Sequence, residues 1–127
     1  MLYTCGLLRG DGVDRATMQR TLHKVLGEWR WAETWGWDFP AVAMTAARIG
    51  EPALAIDALF LESPKNRWLA NGHTPQRADL PVYLPSNGAL LLAAAMMAAG
   101  WESGPANAPG FPEREWSVRW ENLQPML

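Results

Sequence analysis

The chain has 127 residues, 49% hydrophobic and 19% charged, enough apolar material for the core of one domain and too much for a disordered polypeptide. Eleven Lys and Arg against thirteen Asp and Glu leave a formal net charge of -2, which lacks the electrostatic footprint of a nucleic-acid binder or a polybasic membrane-surface protein. A single cysteine, Cys5, excludes an intrachain disulfide framework and a Cys-based zinc site, and leaves the redox compartment undecided.

Met1 to Gly10 has no basic stretch followed by a continuous apolar run, so no targeting signal is read there and no compartment is indicated. Asp14 is placed to cap a helix whose apolar residues Met18, Leu22, Val25, Leu26 and Trp29 fall at helical spacing, with His23 on its polar side. Arg30 to Phe39 (RWAETWGWDF) is too aromatic and too Gly-punctuated to continue that helix and reads as a loop rich in Trp and acid. Pro40 to Ile49 predicts a second helix ending at Gly50, and Glu51-Pro52 restarts a third through Leu61, so the two form a tight αα-hairpin. Ala41, Ala43, Ala46 and Ala47 leave room for a neighbouring helix to approach closely.

Glu62 to Pro85 carries four prolines and an Asn71-Gly72 turn. Segments of this length inside compact domains are functional or disordered, and the apolar content here favours an ordered functional loop. Ser86 or Asn87 is placed to cap a fourth helix, Gly88 to Ala99, terminated by Gly100. Its run Ala89 to Ala99 is about half of the ~20 residues that cross a bilayer, so it reads as a buried helix, apolar all round and enclosed on every side. The stretch from Trp101 to Leu127 is Pro-rich and irregular, except where Trp116, Val118 and Trp120 alternate with polar residues and predict a short strand with those indoles in the core. An all-α domain with so much loop and tail cannot enclose its own apolar helices. Residues 1–127 therefore read as a single partial domain, completed either by upstream sequence or by self-association.

Motifs for nucleotide binding, serine hydrolysis and HExxH metal sites are all missing, and His23 and His73 stand 50 positions apart. No metal or cofactor is implied. The composition instead points to eight Trp against three Phe and two Tyr, an imbalance that apolar cores avoid because each buried indole N–H needs a partner. Trp31, Glu33, Trp35, Trp37 and Asp38 fall in one loop. Asn66, Arg67, Trp68, Asn71, His73, Gln76, Arg77, Asp79, Tyr83 and Asn87 fall in or beside the other. Indole faces pack on pyranose C–H groups, and carboxylates, amides and Arg forks hydrogen-bond hydroxyls, so these residue types suit a carbohydrate partner. Glycoside hydrolysis needs two carboxyl groups flanking the scissile bond, for which Glu33 and Asp38 are the candidates and Asp79 a third. The competing structural roles remain open: indoles filling gaps at helix ends, Asp38 capping the second helix, and His73 as a surface turn residue.

The segments WGWDFPAVAMTAARIGEPALAIDAL, ESPKNRWLANGHTPQRADLPVYLPSNGALLLAAAMMAAGW and NAPGFP followed by WSVRWENLQPM resemble the C-terminal part of the six-hairpin, (α/α)6-toroid glycoside hydrolases, nearest to glycoside hydrolase family 95 and more distantly family 65. The resemblance covers essentially the whole chain through hairpin register and loop composition. It implies that these helices are the last hairpins of a toroid surrounding a sugar cleft, in fucosidase- or galactosidase-type hydrolases. The family's general acid would lie upstream of Met1. A catalytic Asp before the Gly-Asn of the final inner helix is not carried over, because the matching segment reads Leu84-Pro85-Ser86-Asn87-Gly88. The resulting expectation is the C-terminal portion of a glycoside hydrolase. Asp38 and Glu33 are its candidate acids, and Trp35, Trp37, Trp68, Asn71, His73, Arg77 and Asn87 contact sugar. The alternative is a non-catalytic helical module for glycan binding or subunit assembly.

Overall fold

The computed structural model describes residues 2–127. Within them a short 3-10 turn at Leu2–Thr4 precedes four helices: α1 (Arg15–Glu28), α2 (Asp38–Arg48), α3 (Pro52–Leu59) and α4 (Leu84–Ala99). The domain is all-α, and the only extended pairings among the described residues are isolated bridges, Arg77 with Leu80 and Trp101 with Met126.

Asp14 caps α1 as its sequence position predicts, accepting a hydrogen bond from the Thr17 amide at 2.7 Å. The helix buries Met18 and Leu22. Trp29 is not part of that apolar stripe: it is the C-terminal cap, with extended backbone and an exposed ring. α2 begins at Asp38, two positions ahead of the expected Pro40, because a proline in the first turn gives up an N–H that would have no intrahelical partner anyway. Nine of its eleven residues are buried. Gly50, at φ 80°, takes the left-handed turn that ends α2, and the amides of Gly50 and Glu51 donate back to Ala47 and Ala46 oxygens at 3.0 and 2.9 Å. Pro52 then opens α3, which closes at Leu59 rather than Leu61.

The alanine-rich face of α2 allows α3 and α4 to pack on it closely. The main core joins Leu2, Met18 and Leu22 to Val42, Ala46, Ile49, Ala55 and Met97, and a smaller cluster of Met44, Ala93 and Met96 seals α2 to α4. Arg48 leaves this core sideways. Its Nε donates to the Gly6 oxygen at 3.0 Å, its Nη2 donates to the Leu127 oxygen at 2.6 Å, and its guanidinium lies over the Trp101 ring, 5.3 Å from the centroid.

Two expectations for the second half of the chain are corrected. α4 starts at Leu84, so Ser86 and Asn87 lie inside its first turn instead of capping it, and only five of its sixteen residues are buried. Leu84 and Leu91 are 66% and 71% exposed, so the helix is covered on its α2 side and uncovered on the other. The strand expected around Trp116 to Glu121 does not form. Alternation specifies a strand only where a neighbour accepts its backbone hydrogen bonds, and this segment meets none among the described residues. Trp116 packs at a tilt against Phe111, with ring centroids 5.3 Å apart, and both Trp116 and Trp120 are exposed rather than in the core.

Residues 62–83 form the expected long loop, held by side chains that satisfy its backbone. Asn66 Nδ2 donates to the Leu59 and Leu61 oxygens at 2.8 and 3.0 Å, and Lys65 Nζ donates to the Gln76 oxygen at 2.6 Å. Gln76 is buried and joins the two loops: its Nε2 donates to the Thr34 oxygen, and its Oε1 accepts from the Gly36 amide, both at 3.0 Å.

Candidate functional site

The loop between α1 and α2 separates its indoles into two roles. Trp31 is half-buried, its Nε1–H donates to the Leu26 oxygen at 3.2 Å, and its ring packs on Trp29 and Phe39 at 5.6 and 5.1 Å. It is a packing residue. Trp35 and Trp37 flank buried Gly36, where a Cβ would overlap the Ser86 hydroxyl and come within 2.9 Å of the Lys65 oxygen. Only glycine lets the loop lie this close to the start of α4. Tyr83, just ahead of α4, is almost fully buried and receives both indoles, Trp35 at 5.4 Å and Trp37 at 6.2 Å, while the two indoles stand 6.4 Å apart. Trp35 and Trp37 keep 41% and 42% of their surface exposed. They form a two-indole ledge on a tyrosine base.

Asp38 locks the ledge from below. Its backbone N–H donates to the Trp35 oxygen at 3.0 Å and its Oδ2 accepts from the Trp35 N–H at 2.8 Å, while Oδ1 accepts from the Tyr3 hydroxyl at 3.4 Å. Partial burial raises the Asp38 pKa above the usual carboxylate value, and the Trp35 N–H and the Tyr3 hydroxyl work against that rise. Burial and the neighbouring Asp38 charge push Tyr3 up to about 12, and the same two causes raise Tyr83. Asp38 is thus the first residue of α2 and the tie that closes the Trp35 turn, without acting as that helix's N-cap, which is Trp37.

The remaining candidate residues are dispersed. Glu33 is exposed and paired with Arg30 at 2.9 Å, and no hydrogen bond or ion pair joins it to Asp38 among the described residues. Arg77 pairs with Asp79 at 2.7 Å, two residues along its own loop. Asn71 Oδ1 accepts from the His73 N–H at 3.1 Å, an Asx turn that shapes the Asn71-Gly72-His73 bend. Asn87 Nδ2 donates to the Gly72 oxygen at 2.7 Å and fastens that bend to α4. Trp68 lines a separate groove with Phe60, Arg67 and Leu90. His23 is exposed on α1 and lies 3.1 Å from Glu51.

Three polar side-chain atoms, Thr74 Oγ1, Ser86 Oγ and Asn87 Oδ1, are buried without a hydrogen-bond partner among the described residues, and the Ser86 hydroxyl faces Gly36 of the ledge. No group of three or more His, Cys, Asp or Glu suited to a metal ion occurs among those residues, and no helix is long and apolar enough to cross a membrane. Tyr3 was not among the sequence candidates, since no spacing rule places residue 3 beside residue 38. Tyr83 stood in the loop constellation, but only its contacts with both indoles give it a role. No protein family, curated protein or solved structure matches the chain.

Proposed function

We propose that the chain binds carbohydrate on the Trp35–Trp37 ledge and serves as the C-terminal wall of the sugar cleft in a glycoside hydrolase of the (α/α)6-toroid type. The observation that carries this reading is the pair of half-exposed indoles fixed on Tyr83 with the Asp38 carboxylate at their root. Rigid indole faces offer dispersion contact to pyranose C–H groups at little entropic cost, and the carboxylate accepts from sugar hydroxyls. The uncovered leucines of α4 are consistent with further toroid hairpins packing against it. A carbohydrate panel titrated against indole fluorescence tests the reading. Saturable quenching that Trp35→Ala and Trp37→Ala each weaken supports it, and no response to any sugar overturns it.

A second reading, a glycan-binding module without hydrolytic activity, is favoured by the acids themselves. Glu33 is spent on Arg30, and both oxygens of Asp38 are already accepting hydrogen bonds. Aryl-glycoside assays on the protein that carries this chain separate the two. Turnover lost in Asp38→Asn favours the hydrolase, and sugar binding without turnover favours the module.

A further inference from the structure

We infer that the groove beside the ledge holds an apolar aglycone, so that the chain prefers glycosides bearing an aryl or short alkyl group over free sugars; this inference rests on the ledge reading above. The groove has a volume of about 520 Å3 and lies between the segment after Leu2–Thr4, α2 and α4, within the size range of small-molecule sites. Its walls are Leu7, Ala41, Met44, Ala89 and Leu92, and its lining is almost wholly apolar. A sugar placed there would find almost no protein partner for its hydroxyls, whereas an aromatic ring or alkyl chain needs none. The groove therefore discriminates against the very group that the ledge suits.

The two surfaces are continuous through Trp37. Its indole meets Tyr83 and Trp35, and the residue also lines the groove. Tyr3 spans the same seam: it lines the groove, and its hydroxyl reaches Asp38. The Tyr3–Asp38 pair thus lies at the seam between the two surfaces. The space is made by small residues on α4, since a Cβ placed on Gly88 would meet nothing within 4 Å.

Calorimetric titration of the full chain with matched methyl and phenyl glycosides, and with phenol alone, tests this. Phenyl glycosides are expected to bind roughly ten- to a hundredfold tighter than their methyl counterparts, the worth of burying one ring. Gly88→Leu, which fills the groove without a backbone penalty, should abolish that gain and leave methyl-glycoside affinity unchanged. Leu92→Gln, at an exposed groove position, serves the same purpose if Gly88→Leu does not fold by circular dichroism. Equal affinity for methyl and phenyl glycosides overturns the aglycone groove and leaves the ledge standing. Phenol binding with no response to any glycoside overturns the ledge reading and this inference with it. No binding of any probe overturns both as well.

Discussion

α2 and α4 are drawn from nearly the same alphabet, alanine with methionine and a few branched residues, and they face one another across the Met44, Ala93 and Met96 contact. Their surroundings differ sharply. α2 is held on several sides by the Leu2–Thr4 turn, α1, α3 and α4, and nine of its eleven residues are buried. α4 meets α2 on one side and keeps Leu84 and Leu91 open to solvent on the other. Composition therefore shows that a helix is able to be buried, and topology decides how much of it is. The ledge sits at the joint between these two regions, since Trp37 and Asp38 begin α2 while Tyr83 and Ser86 begin α4.

The comparison is most easily broken on the α2 side. Phe39→Ala removes a fully buried ring packed on Trp31 and should cost about 3–5 kcal/mol, read as a fall in the urea midpoint with an unchanged slope. Gly36→Ala attacks the joint, because the added methyl overlaps the Ser86 hydroxyl. A loss of about 1–3 kcal/mol is expected, together with a change in Trp fluorescence as Trp35 and Trp37 leave Tyr83. Asp38→Asn tests the electrostatics of the same joint. Because burial raises this carboxyl above its ordinary value, the folded state holds its proton more tightly than the unfolded chain does. Its contribution is fully present below the ordinary carboxylate range and is lost as pH rises through the raised value. The wild-type melting temperature should therefore fall across that window relative to Asp38→Asn, checked by thermal melts from pH 3 to 7. The smallest effect belongs to α4's open face. Leu91→Gln, at a position 71% exposed, should change stability by no more than about 0.5 kcal/mol. A larger loss in the isolated chain would mean that α4 is covered after all.

What was legible in the sequence follows the range over which each interaction acts. Asp14 and Gly50 were readable because a cap and a left-handed turn are decided within a few residues. The start of α2 was placed late because Pro40 suits a first helical position but sits at the third, and that of α4 because Ser86 and Asn87 have cap chemistry although Leu84 and Pro85 already begin the first turn. Trp116, Val118 and Trp120 carried a genuine alternation, but a strand is a relation between two segments, and among the described residues no second one pairs with it. Of the site, the loop-borne indoles were visible as an excess in composition. Their division into packing Trp31, ledge Trp35 and Trp37, and remote Trp68 depends on tertiary placement: Tyr83, which receives the two ledge indoles, stands more than forty positions away from them, and Trp68 lines a different groove.

Arg48 carries a consequence of a different sort. One planar group at the end of α2 reaches residue 6, residue 127 and the ring of residue 101 at once, a junction of valence three. Lysine conserves the charge there but offers a single nitrogen on a flexible stem, with no flat face to lay on an indole. Arg48→Lys is thus not a conservative exchange: it keeps the charge but gives up the fork and the flat face that together strap residues 6, 127 and 101 to one point.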